Sequence, residues 1–219
     1  MSLLVKICGL STRETLETAL DAGADMVGFV FFPPSPRHVP LETGRDLGRQ
    51  VKRRALKVAL TVDADDATLD NIMDALSPDI FQLHGKESVA RLRDIKQKFG
   101  RPVMKAVPVA TAADLTVLPG YAAVAERILF DARAPKDATR PGGLGEPFDW
   151  HLLENLELKL PYMVSGGLHA HNVAQALRVT GAGGVDVSSG VESAPGVKDP
   201  ELIKAFIRAA RAIQELSVR

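Results

Sequence analysis

The sequence holds one cysteine, Cys8, so no internal disulfide can form and no multi-cysteine metal site can be built. Excess charge of either sign is also missing, with 27 Lys plus Arg against 27 Asp plus Glu. A chain so balanced presents no basic field to nucleic acid or an anionic membrane and carries no acidic tail, so any anion must be held locally. Charges, Gly or Pro interrupt every apolar run well short of the roughly 20 residues that span a bilayer. The amino-terminal MSLLVKICGLS lacks the charged lead and long apolar core of a secretory signal, and the cytoplasm is the expected compartment. No strand-like run carries the Gly-x-Gly-x-x-Gly turn of a dinucleotide-binding half.

What is present is a rhythm. Eight short apolar runs recur along the chain: 3–8 (LLVKIC), 25–32, 56–62, 79–84, 102–109, 127–131 (RILFD), 161–166 and 184–189. Between them lie amphipathic stretches whose apolar residues step by three and four, such as Leu69, Ile72, Met73, Leu76 and Val89, Leu92, Ile95, Phe99. Ser11 with Glu14 reads as a capping box, Gly23 and Gly100 as left-handed helix ends, and Asp199-Pro200 as the opening of the last helix. Strands this apolar are covered on both faces, as in a parallel sheet ringed by helices. Eight strand–helix pairs within 219 residues predict an α/β fold, a single parallel (β/α)8 TIM barrel forming one catalytic domain over 1–219.

In such a barrel the chemistry stands at the carboxyl ends of the strands. Those places read Cys8-Gly9, Arg37-His38, Asp63, His84-Gly85, Asp131, Ser165-Gly166-Gly167 and Ser188-Ser189-Gly190. Either glycine loop alone is an ordinary tight turn, but the two together, after the last two strands, point to a phosphate held by backbone N–H groups. A free cysteine usually serves as a small buried hydrophobe. Cys8, however, ends the first strand with Lys6 two residues back on the same face, and a thiol beside a cation can act as base or nucleophile.

Asp131 closes an apolar strand and is either a turn-capping carboxylate or an acid whose protonated form is favoured when the Gly/Pro-rich loop 132–148 shields it. Arg37 lies among Pro33, Pro34 and Pro36, whose stiffness suits placement of a guanidinium on a carboxylate, although a solvated surface arginine is the commoner fate. His84 stands at the end of its strand. His38, His151, His169 and His171 assemble no metal set, and no metal is expected.

These residues resemble the phosphoribosylanthranilate isomerases of tryptophan synthesis. The likeness is carried by KICGL (6–10), GFVFFPPSPRHV (28–39), FQLHG (81–85), LFDAR (129–133), GGLGEPFDW (142–150), SGGL (165–168) and GVDVSSGVES (184–193), in the family's order and spacing. The resemblance implies a cofactor-free Amadori rearrangement of a phosphorylated sugar derivative, aldose to ketose. It implies Asp131 as general acid and Cys8 as general base. Arg37 would hold the anthranilate carboxylate, His84 would line the site, and Gly166, Gly167, Ser189 and Gly190 would take the phosphate. Leu144 departs from the hydroxyl residue more usual in that loop. The implied partner is a small phosphorylated substrate, with no nucleic acid or membrane, and the chain is expected as monomer or homodimer.

Other phosphate-binding barrels share the two glycine loops. A histidine-pathway aldose isomerase would carry aspartates at the ends of strands one and five, whereas this sequence has Cys8 and no carboxylate over 102–109. A pentose-phosphate epimerase needs metal ligands that the sequence does not assemble. A non-catalytic barrel that binds a phosphometabolite would have no use for both Cys8 and Asp131.

Overall fold

The computed structural model describes residues 3–134, 142 and 147–216, with side chains as far as Ile213. Eight parallel strands, β1 (Leu4–Cys8), β2 (Met26–Val30), β3 (Leu56–Thr61), β4 (Ile80–Leu83), β5 (Val103–Val109), β6 (Arg127–Ala132), β7 (Tyr162–Val164) and β8 (Gly184–Val187), close in sequence order into a barrel. Closure joins β1 to β8, with Leu4 opposite Gly184 and Lys6 opposite Asp186. Each strand falls within the apolar run that predicts it, except that β6 extends one residue beyond, to Ala132.

The helices are α1 (Arg13–Asp21), α2 (Leu41–Gln50), α3 (Asp66–Leu76), α4 (Val89–Phe99), α5 (Leu118–Ala122), α6 (Val173–Thr180) and α7 (Pro200–Leu216). A short antiparallel pair, β9 (Glu192–Ala194) and β10 (Val197–Lys198), follows β8. Caps end the helices where side-chain oxygens replace missing carbonyl partners: Asp65 accepts from Thr68 N at 2.8 Å and Ser88 from Arg91 N at 3.2 Å. Gly100 takes the left-handed conformation, φ 60°, that closes α4. At α7, Asp199 accepts from the N–H groups of Glu201 and Leu202, as the Asp-Pro signal predicts. Along that helix Ile203, Phe206, Ile207 and Ala210 are buried at helical spacing, and each large one contributes ~1.5–3 kcal/mol of burial. No helix is long and apolar enough to cross a membrane among the described residues.

Two local readings are corrected. The cap of α1 is Thr12, whose Oγ1 accepts from Thr15 N at 3.3 Å, rather than Ser11, because the first helical turn begins one residue later than the Ser11–Glu14 pattern requires. Among the described residues seven of the eight strands, not all eight, are followed by an α-helix. Between β6 and β7 the described residues hold a 3-10 turn, Trp150–Leu153, whose buried Trp150 and Leu153 pack toward α6 in place of a full helix. The α5 connection is likewise a 3-10 turn running into five helical residues.

Side chains alternate across each strand, so the barrel interior has its own composition. Its floor is apolar: Met26, Val58, Met104, Ala106, Leu129 and Met163 pack together with Leu4 and Ile80. One step up β1, β4 and β8 the residues turn polar, with Lys6, Gln82 and Asp186, all buried. Another step reaches the mouth, where Cys8, His84, Asp131, Ser165 and Ser188 stand. The larger apolar cluster lies outside the barrel, between strands and helices.

Candidate active site

The carboxyl-terminal mouth opens into a cavity. Strand ends and loops from around the ring meet in its lining: Cys8, Gln82, His84, Asp131, Ser165, Gly166, Gly167, Ser188 and Ser189, with Arg37 from the proline-rich segment after β2. Cys8 from β1 and Asp131 from β6 thus share one chamber while belonging to distant strands.

On the Cys8 side charge dominates. Lys6 is wholly buried and its Nζ donates to Asp186 Oδ1 at 2.9 Å. Burial would lower the Lys6 ammonium, but Asp186 and Cys8 outweigh it and raise its pKa. Burial pushes the Cys8 thiol up, Lys6 and Lys198 pull it down, and Asp186 adds to the rise, leaving the thiol above its ordinary value. The cation expected to acidify the thiol is therefore present, and desolvation outweighs it. Gly28 makes this packing possible, since a Cβ there would lie 2.9 Å from Cys8 Sγ and 3.1 Å from Lys6 Nζ.

On the Asp131 side neutral groups dominate. Asp131 is 4% exposed; its Oδ1 accepts from Ala132 N at 3.0 Å and its Oδ2 lies 3.0 Å from His84 Nε2. His84 Nδ1 in turn lies 3.1 Å from Gln82 Nε2. The loop that carries His84 is fixed from outside the barrel by buried Lys105, which donates to Leu83 O, Gly85 O and Glu87 Oε2 at 3.2, 2.7 and 2.9 Å. Gly142 packs onto the pair, and a Cβ at that position would collide with the Asp131 carboxylate. Leu144 and most of loop 132–148 lie outside the described residues.

Arg37 is buried at the cavity wall rather than solvated. Its Nε and Nη2 donate to Glu192 at 2.7 and 2.8 Å, a two-pronged pairing that fixes the plane of the guanidinium. Glu192 also accepts from Lys198 Nζ at 2.7 Å. Burial would raise Glu192, but Arg37 and Lys198 hold its carboxyl below the usual range. Lys198 donates further to Ser188 O and Oγ, at 2.8 and 3.1 Å, and burial lowers its ammonium to about 8 against the pull of Glu192 and Cys8.

Of the residues assigned to phosphate, Gly166, Gly167 and Ser189 line the cavity. Gly166 and Gly167 are left-handed, φ 80° and 61°, which permits the tight turn. Gly190 is not in the lining; it packs behind, where a Cβ would run into the Leu168 carbonyl, so it binds the β7 and β8 loops to each other. Asp63 accepts from Lys86 N at 2.7 Å and belongs to the support of the β4 loop. Among the described residues no cluster of three or more His, Cys, Asp or Glu side chains is arranged to hold a metal ion.

Strand-end position alone does not point to Gln82, Asp186, Glu192 or Lys198. The first two carry a usable signal, each lying two residues before a strand-end candidate on the same face. Glu192 and Lys198 carry none, since only the β9–β10 fold-back brings them to Arg37.

The family described as N-(5'phosphoribosyl)anthranilate (PRA) isomerase matches residues 5–209. The chain is 90% identical to N-(5'-phosphoribosyl)anthranilate isomerase of Bradyrhizobium diazoefficiens, over 100% of both chains. It is similar in structure to phosphoribosyl anthranilate isomerase from Thermotoga maritima, with TM-score 0.87 and 34% identity over 96% of this chain and 99% of that one. A phosphoribosyl anthranilate isomerase in complex with reduced 1-(o-carboxyphenylamino)-1-deoxyribulose 5-phosphate matches with TM-score 0.84 and 32% identity, again over 96% and 99%.

Proposed function

The chain belongs to the N-(5'-phosphoribosyl)anthranilate isomerase family, and from that premise we propose that Asp131 is the general acid and Cys8 the general base of its reaction. The reaction turns N-(5'-phosphoribosyl)anthranilate into 1-(2-carboxyphenylamino)-1-deoxyribulose 5-phosphate, in tryptophan biosynthesis. The observation that carries the assignment is the shared cavity: a buried carboxyl and a buried thiol face one chamber from β6 and β1.

Asp131 gives its proton to the ribose ring oxygen as the C1′–O bond breaks, and the anilino nitrogen supplies the electron pair that forms an iminium. Cys8, as thiolate, removes the C2′ proton, and the C–H electrons move through C1′ to that nitrogen. The resulting enol amine takes up a proton at C1′ and loses the proton of its C2′ hydroxyl, which becomes the ketone. One acid, one base and the substrate's own nitrogen as electron sink suffice for this shift. Lys6 supports the base by stabilising thiolate, and His84 supports the acid by its hydrogen bond to the carboxyl group.

Arg37, its plane set by Glu192, holds the anthranilate carboxylate. The left-handed Gly166-Gly167 turn and Ser189 take the phosphate, with Gly190 acting through the loop it braces. The whole chain 1–219 works as one domain, a reading supported by α7 packing back on α1 and β1. The cytoplasm suits a lone thiol that must stay reduced, and we take the unit as monomer or homodimer. The test is loss of phosphoribosylanthranilate fluorescence on adding pure protein. Turnover that depends on both Cys8 and Asp131 is expected; full turnover in Asp131→Asn or Cys8→Ala overturns the assignment.

A further inference from the structure

Gln82 lies two residues before His84 on β4, on the same inward face, and is wholly buried. Its Nε2 stands 3.1 Å from His84 Nδ1, and His84 Nε2 stands 3.0 Å from Asp131 Oδ2. The other end of the amide, Oε1, is buried with no hydrogen-bond partner among the described residues. A buried polar atom left unpaired is costly, and the apolar floor just below shows what this barrel uses where only packing is needed. Space filling therefore does not account for a glutamine here.

A neutral imidazole has one N–H and one bare nitrogen. Between an amide N–H and a carboxylate only one neutral tautomer satisfies both neighbours: Nδ1 accepts from Gln82, and Nε2–H donates to Asp131. We propose that Gln82 is a positioning residue for the isomerase reaction, fixing His84 in the Nε2–H tautomer so that the imidazole holds the Asp131 carboxyl group in place for proton transfer. This rests on the reading of Asp131 as the acid. Methionine at position 82 keeps the bulk and removes the donor. Glutamate keeps the shape and offers only acceptors, which draws the ring proton to Nδ1.

The test combines ¹⁵N spectra of the His84 ring, assigned by difference with His84→Asn, with steady-state kinetics of the intact protein carrying Gln82→Met or Gln82→Glu. The unsubstituted protein is expected to show the Nε2–H tautomer, and Gln82→Glu to place a proton on Nδ1. Both variants are expected to lose kcat by about 10- to 100-fold, part of the 10²–10⁴ a general acid supplies, with KM moved less than about twofold and Gln82→Glu the slower. An Nδ1–H ring in the unsubstituted protein overturns the proposal, a reading that needs no variant to fold. So does a ring unchanged by Gln82→Glu, or a loss confined to KM. Failure of the acid assignment is distinguishable: Asp131→Asn would then keep its turnover, whatever the ring nitrogens report.

Discussion

The two halves of the cavity prepare their proton-transfer groups by different means. Around Cys8 the neighbours are charged, Lys6 and Asp186 beneath and Lys198 behind Ser188, and the thiol's tendency to ionise is the resultant of large opposing effects. Around Asp131 the neighbours are a histidine, a glutamine and a backbone N–H, and what they control is direction. A base must be generated by lifting a proton off a desolvated thiol, for which nearby cations are the available lever. An acid must be aimed at a ring oxygen, for which hydrogen bonds serve better than net charge. Electrostatic substitutions should therefore act on the Cys8 half through pH, and hydrogen-bond substitutions on the Asp131 half through kcat.

The largest effect is expected from Asp131→Asn, which keeps the shape of the side chain, gives up one of the two hydrogen bonds it accepts from Ala132 N and His84, and leaves no acidic proton to give. Turnover should fall by about 10³- to 10⁴-fold, as followed by substrate fluorescence, while the product analogue still binds in calorimetry. Cys8→Ala should cost about 10²- to 10³-fold, again with binding preserved. If either variant lost binding in step with turnover, the division between placing the substrate and moving its protons would be broken.

Lys6→Met sharpens the comparison, because it removes charge from the Cys8 half alone. With one cysteine in the sequence, alkylation rate against pH reports on Cys8 and nothing else. The midpoint should move upward by about one unit or more, with kcat at neutral pH falling about tenfold for each unit. In the unsubstituted protein the thiol's raised value has the same sign: activity limited by thiolate should climb with pH through neutrality. A profile flat from pH 6 to 9 would contradict this.

The smallest effect is expected at the wall between the halves. Glu192→Gln loosens the plane of Arg37 and reaches the base only indirectly, through Lys198, so KM should rise about tenfold, roughly 1.4 kcal/mol, with kcat changed less than KM.

Much of this arrangement is legible in the sequence because a β-strand repeats every two residues. Once β1, β4, β6 and β8 are recognised, the mouth residues Cys8, His84, Asp131 and Ser188 follow, and the polar layer of Lys6, Gln82 and Asp186 sits one step below. Glycine spacing gives away the Gly166-Gly167 turn for the same local reason. Long-range partners are hidden. Arg37 meets Glu192 across 155 positions of chain, and Lys198 reaches Ser188 only because two short strands fold back. The thiol's raised value is hidden too, since it reflects burial, which no strand pattern quantifies. At Thr12 the miss was one residue of helix start, where Ser11, Thr12 and Glu14 offer competing caps.

The division of labour between the halves is tested most directly by single-turnover fluorescence of N-(5'-phosphoribosyl)anthranilate on Cys8→Ala across pH 6 to 9. The account predicts turnover depressed at least about 100-fold and without the rise with pH that the thiol confers on the unsubstituted protein. Turnover at the unsubstituted rate, or the same rise with pH in the absence of the thiol, would contradict it.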